Sequence, residues 1–209
     1  MKKIIIKTMV LGMVQTNCYI VRARDSKEAV VIDPADRAEK IYSYLNENDL
    51  VCKRILLTHG HFDHITAAEK LKEFTGADIY ACEEEAALLN DPKLNASAHF
   101  GSEISLEPDF FLKDKEEFEA AGLTWQVIYT PGHTEGGACY YLKEESTLFS
   151  GDTLFYESIG RTDLPTGNLQ RLTESIRNRL FDFPDETEVY PGHGRPTTIG
   201  HEKQYNPFL

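Results

Sequence analysis

The sequence predicts an α/β layered fold on three observations: short apolar strands alternate with amphipathic helical stretches, several strands are apolar almost end to end, and turn residues close each one. Strands that are apolar throughout belong in sheets covered on both faces, and the intervening helices supply that cover.

In chain order, Ile4-Ile5-Ile6 opens a first strand that runs through Val10 and, after a turn, into Cys18-Tyr19-Ile20-Val21. Further strands are expected at 29–32, ending at Asp33-Pro34, at 54–57, ending at Thr58-His59, and at 78–81, 123–129, 138–142, 147–150 and 188–190. Ile41, Tyr44 and Leu45 share one face of a helix; residues 65–74 form another with Lys and Glu outside; Leu172, Ile176 and Leu180 share the face of a third. Residues 83–122 are the least regular. Their acidic residues, Asn90-Asp91-Pro92 and the phenylalanines 100, 110, 111 and 118 suggest a helix and then a long excursion over the core, either the wall of a site or a packed insertion.

No repeat, low-complexity tract or Pro/Gly/Ser-rich linker divides the chain, so residues 1–209 are expected to form one domain. Hydrophobic residues at 41% and charged residues at 27% exclude disordered, collagenous and membrane-spanning classes. With 22 Lys plus Arg against 34 Asp plus Glu, the net charge of −12 disfavours nucleic acid as a substrate. Small anions stay open, because bound divalent ions make a site locally positive. Cys18, Cys52, Cys82 and Cys139 form no C-x-x-C pair and read as buried reduced thiols. Met1-Lys2-Lys3 and the isoleucines imitate a secretory signal, but Lys7 and Thr8 end the apolar run early; a cytoplasmic location is expected, with no membrane span.

The chemistry lies at strand ends. Thr58-His59-Gly60-His61-Phe62-Asp63-His64 puts four ligand-type side chains within six residues, directly after the apolar strand Ile55-Leu56-Leu57. Buried imidazoles and carboxylates cost several kcal/mol of desolvation unless they pair or bind metal. The pattern of strand, glycine and ligand-type residue recurs in Pro131-Gly132-His133-Thr134, Ser150-Gly151-Asp152-Thr153 and Pro191-Gly192-His193-Gly194. These glycines are expected to turn the backbone sharply, so that each ligand points into a common hollow. One catalytic zinc uses three protein ligands, and seven donors exceed that by four. Two metals about 3.5 to 4 Å apart, sharing a carboxylate and a hydroxide, use all seven. Zinc is the first expectation, with iron or manganese as alternatives. His99 and His201 match no ligand pattern and read as ordinary polar residues.

The order H-x-H-x-D-H, G-H-T, G-D-T and P-G-H-G resembles the metallo-β-lactamase superfamily, over nearly the whole chain from Thr16-Asn17-Cys18-Tyr19 and Ile32-Asp33-Pro34 to Asn206-Pro207-Phe208. Residues 158–165 and Thr198-Ile199-Gly200-His201-Glu202 resemble its short bacterial glyoxalase II-like subgroup, the hydroxyacylglutathione hydrolases. Ala35, where glycine is usual, and Gly137, where Ser or His is frequent, depart from the pattern.

The resemblance implies a four-layer αββα sandwich. It implies a first metal on His59, His61 and His133, a second on Asp63, His64 and His193, and Asp152 as the bridge. The expected activity is hydrolysis, with a metal-bridging hydroxide as nucleophile oriented by Asp63 and Asp152. A thioester is the favoured small-molecule substrate, because a thiol with pKa near about 8.5 departs without a strong general acid. Only 16 residues follow His193 (209 − 193), where full-length glyoxalase II continues into a glutathione-gripping helical region, so glutathione recognition is not expected to carry over whole. Arg161 is either a contact for an anionic substrate or part of a salt bridge. The competing expectations are a persulfide dioxygenase holding one iron by two histidines and one aspartate, and a non-catalytic metal-binding protein.

Overall fold

In the computed structural model, which describes residues 3–209, alternation of side chains along each strand sorts the apolar residues into three cores separated by two sheets. Met1 and Lys2, the charged start of the signal-like segment, lie outside the described residues.

The first sheet has six strands in chain order: β1 (Ile4–Leu11), β2 (Thr16–Ala23), β3 (Glu28–Ile32), β4 (Val51–Leu56), β5 (Asp78–Cys82) and β6 (Phe110–Leu112). The β1–β2–β3 pairings are antiparallel and the remainder parallel. The parallel crossovers carry helices α1 (Ala38–Glu47), α2 (Phe62–Ile65), α3 (Ala68–Thr75) and α4 (Ala86–Asn90). The second sheet contains β7 (Glu117–Ala120), β8 (Leu123–Tyr129), β9 (Ala138–Leu142) and β10 (Thr147–Gly151). A small hairpin of β11 (Leu154–Phe155) and β12 (Ser158–Ile159) follows, then helix α5 (Leu169–Ser175), whose last turn is continued by residues 176–180. Strands β13 (Glu188–Pro191) and β14 (Thr197–Thr198) complete the sheet in the order β14-β13-β10-β9-β8-β7, and α6 (Ile199–Tyr205) ends the chain.

Within β3, Val30 and Ile32 face the second sheet, where they meet Trp125, Val127, Tyr140 and Phe149. Ala29 and Val31, one residue out of phase, face Ile41 and Leu45 of α1 and Leu71 of α3. On the other side of the molecule Tyr141, Leu148 and Val189 pack against Leu172, Ile176 and Leu180. The layers therefore run helix, sheet, sheet, helix, and the αββα expectation holds. Burial of β9 and β10 at every position explains why their sequences read as unbroken apolar runs.

Strands 123–129 and 138–142 match the sequence reading to the residue, and most others lie within one to three residues of it. The helix expected over 65–74 is two pieces, α2 and α3, with Asp63 and His64 placed in the first. Residues 83–122 hold more regular structure than the sequence suggested: Leu88, Leu89 and Leu106 enter the cores, and β6 and β7 form an edge of each sheet. All four cysteines are free and buried. Among the described residues, no helix is long and apolar enough to cross a membrane.

Candidate metal centre

Strand direction decides where the ligand-type residues meet. Strands β8 and β10 each run antiparallel to β9, and β13 runs parallel to β10, so all three end at one edge of the second sheet. His133, Asp152 and His193 follow those ends. Strand β4 delivers His59 and His61 from the first sheet, and Asp63 and His64 occupy the opening turn of α2.

All seven side chains surround one hollow. Donor atoms of His59, His61 and His133 lie within 4.8 Å of one another, as do those of Asp63, His64 and His193, and those of His59, His64 and Asp152. The Nδ1 of His61 is 2.9 Å from Nε2 of His133, which is 3.3 Å from Nε2 of His59. The Nε2 of His193 lies 3.2 Å from Asp63 Oδ2 and 3.5 Å from Asp152 Oδ2. Asp152 reaches both groups, with Oδ1 3.4 Å from His64 Nε2 and Oδ2 3.6 Å from His133 Nε2.

Lone pairs turned on one another in a buried space are poor packing unless a cation lies between them. His61 Nε2, His64 Nε2 and Asp152 Oδ1 are buried with no hydrogen-bond partner. Imidazole nitrogens and carboxylate oxygens at these separations fit divalent ions of the zinc, iron or manganese type.

Burial, then the neighbouring His64 and His133, holds His59 well below the usual histidine range; burial, then His133, lowers His61 to about 3; and burial lowers His133. Three neutral imidazoles are the form a metal takes up. Burial opposes ionisation of Asp63 and Asp152 and opposes protonation of His64 and His193, but their mutual attraction wins. Asp63 falls to about 2, Asp152 lies well below the carboxylate range, His193 rises to about 9, and His64 lies well above its usual value.

Several residues that position the donors carried no assigned role in the sequence reading. Buried Asp33, at the end of β3, accepts from the Thr58 hydroxyl (2.7 Å) and from His64 Nδ1 (2.9 Å) through Oδ2, and from the Thr58 N–H (2.8 Å) through Oδ1. With its hydrogen given to Asp33, Thr58 Oγ1 accepts from His59 Nδ1 at 3.1 Å. His133 Nδ1 donates to the Arg161 carbonyl at 2.7 Å. In each case Nδ1 carries the proton and Nε2 faces the hollow. The available signal was an apolar strand ending in an acidic residue, since β3 is parallel to β4 and ends at the same edge. Buried Glu85 accepts from the Gly60 N–H (2.8 Å) and the Gly136 N–H (2.7 Å), joining two ligand loops. Thr16 donates to Asp63 Oδ2 at 2.8 Å, and Asn17 and Tyr19 hold the Pro191 carbonyl, fixing the His193 loop.

The glycines serve by two different means. Gly132 (φ 135°) and Gly151 (φ 48°) make the expected sharp turns. Gly192 does not; there a Cβ would lie 2.2 Å from Asp152 Oδ1 and 2.7 Å from His64 Cε1, so its need is close approach.

Neither His99 nor His201 joins the cluster. His99 lines the cavity above it, whereas His201 Nε2 bonds Glu157 at 3.0 Å. Arg161 makes a bidentate salt bridge to Asp163, 2.7 Å at each contact, at the cavity rim. The excursion supplies part of the wall through Ala96, His99 and Phe100.

The family model for the metallo-beta-lactamase superfamily matches residues 11–193. Hydroxyacylglutathione hydrolase GloC of Haemophilus influenzae is 37% identical over 198 residues, covering 93% of each chain. Among solved structures, BLEG-1 B3 metallo-beta-lactamase is 41% identical with a TM-score of 0.92, over 98% of this chain and 99% of its own. TTHA1623 in a di-iron-bound form is 37% identical with a TM-score of 0.85, over 97% and 100%. ETHE1 from Myxococcus xanthus is 31% identical with a TM-score of 0.82, over 97% and 83%.

Proposed function

The chain belongs to the metallo-β-lactamase superfamily, and from that premise we infer that it is a binuclear metallohydrolase that cleaves a thioester in the cytoplasm. One observation carries the reading: two complete three-donor groups adjoin, and Asp152 reaches both. His59, His61 and His133 would hold one ion and Asp63, His64 and His193 the other, with Asp152 in reach of both groups. Zinc is the expected metal, with iron supported by the di-iron form of TTHA1623.

When bound, the ions supply Lewis acidity towards water and towards a carbonyl oxygen. The chain's own residues do the rest. Asp63, fixed through Oδ2 by Thr16 and His193, is placed with Asp152 to orient the attacking water and take its proton. A C–O bond forms and the C–S bond breaks, with the electron pair leaving on sulfur. A thiol of pKa near about 8.5 departs as thiolate without a strong general acid, and the GloC relative, named for a thioester of this kind, supports the choice.

A single-iron dioxygenase is the competing reading, favoured by the ETHE1 likeness. It leaves four of the seven donors without a task. The test is metal content together with assays on an acyl thioester, a β-lactam and glutathione persulfide, repeated on His61→Ala. Thioester turnover lost together with metal supports the hydrolase; oxygen uptake with one iron per chain selects the dioxygenase; two metals without turnover of any substrate leave a binding protein.

A further inference from the structure

Above the donors lies a cavity of about 580 Å³, a size suited to a small molecule. Its far wall consists of Phe155, Ile159 and Leu164, and its near wall of Val14, Phe62 and Phe100. The arginine at its rim, Arg161, is already committed to Asp163 by two contacts. A second cavity of about 440 Å³ shares Val14, Phe62, Asp63 and Phe100 with the first; beside Met13 and Ala35 it is bordered by the polar or charged Asp36, Arg37, Thr66 and Ser102. Phe62 and Phe100, stacked with centroids 4.2 Å apart, stand where the two lobes meet. Asp63, one of the donors, borders both.

The far wall is held in place. The hairpin β11–β12, which carries Phe155 and Ile159, is tied to α6: the Glu157 N–H donates to buried Glu202 at 2.9 Å, and Asn206 Nδ2 donates to the Ser158 carbonyl at 3.1 Å. A preformed apolar wall binds an alkyl or aryl group without the cost of ordering it.

Resting on the thioester reading, we propose that the substrate is a thioester with an apolar acyl group, seated against Phe155, Ile159 and Leu164, while its polar thiol arm extends past Phe62 towards Arg37. The asymmetry of the lobes assigns the two arms. Carrier thiols are polar, and a hydroxylated or charged acyl group set against Phe155, Ile159 and Leu164 would lose more water than the few polar side chains of that lobe, Ser158 and His99, can replace.

The experiment uses the metal-loaded protein and thioesters of one uncharged thiol, N-acetylcysteamine, from acetyl to octanoyl. The expected kcat/KM rises roughly threefold to fourfold for each added methylene until the lobe is filled. Leu164→Asn, a half-buried loop position, and Phe155→Ala are both expected to flatten that slope. A flat or falling series, with the acetyl thioester turned over, overturns the acyl assignment and leaves the thioester reading standing. A slope unchanged in both variants overturns the assignment of the wall. No turnover of any member removes both readings together.

Discussion

Asp33 Oδ2 lies 2.9 Å from His64 Nδ1, so a residue outside the seven donors decides which nitrogen of His64 faces them. The same oxygen accepts the Thr58 hydroxyl, and through Thr58 the orientation of His59 depends on it as well. One carboxylate thereby sets the tautomer of a histidine in each of the two donor groups.

Asp33→Asn keeps the shape but places an amide where both partners donate. Metal affinity is expected to fall about 10-fold to 100-fold, read by chelator competition. An affinity equal to that of the parent protein contradicts the positioning role.

Gly192→Ala puts a methyl group 2.2 Å from Asp152 Oδ1. Asp152 or His64 must then move, and metal content per chain is expected to drop while the far-ultraviolet circular dichroism stays native. Full metal content in this variant would show that the loop has room to yield.

Glu85 provides the pH dependence. Burial pushes its carboxyl up to about 7, with the Gly60 and Gly136 N–H groups acting in the opposite sense. A folded-state pKa raised above the unfolded value means that the folded chain holds the proton more tightly. The associated stability is fully present below about 4.5 and is lost as pH rises through about 7. In the metal-stripped protein, stability relative to Glu85→Gln should fall by roughly 2 to 3 kcal/mol between pH 5 and 8. Urea midpoints at the two pH values give this difference, and a difference that is constant with pH would contradict the assignment.

Leu172 fills the core between α5 and the second sheet with no exposure. Leu172→Ala should cost about 2 to 5 kcal/mol of unfolding free energy, and because Leu172 N also lies 2.2 Å from a Cβ built at Gly132, movement of α5 should disturb the His133 loop. Equilibrium denaturation and metal content, measured together, check both parts.

The donor set and the layered fold could be read in the sequence for the same reason: both are written locally. An apolar strand followed by glycine and a ligand-type residue is a short pattern, and strands buried at every position, such as β9 and β10, leave no polar residue to confuse their limits. Strands β6 and β7 were not legible. Phe110 and Phe111 are exposed on an edge, so no alternation marks them. Glu85 follows Glu83 and Glu84 and reads as part of a solvated acidic run, because its partners, Gly60 and Gly136, are distant in sequence. Arg161 drew notice for its charge, yet its carbonyl is what holds His133, and a backbone contact leaves no mark in residue type.

The claim beneath all of this is that the seven side chains enclose a pair of cations. Anomalous scattering from crystals of the metal-loaded protein, recorded at the metal edges, tests it most directly. Two peaks are predicted, one among His59, His61 and His133 and the other among Asp63, His64 and His193, with Asp152 touching both. A single peak at full loading, or a metal held away from these residues, would contradict the account.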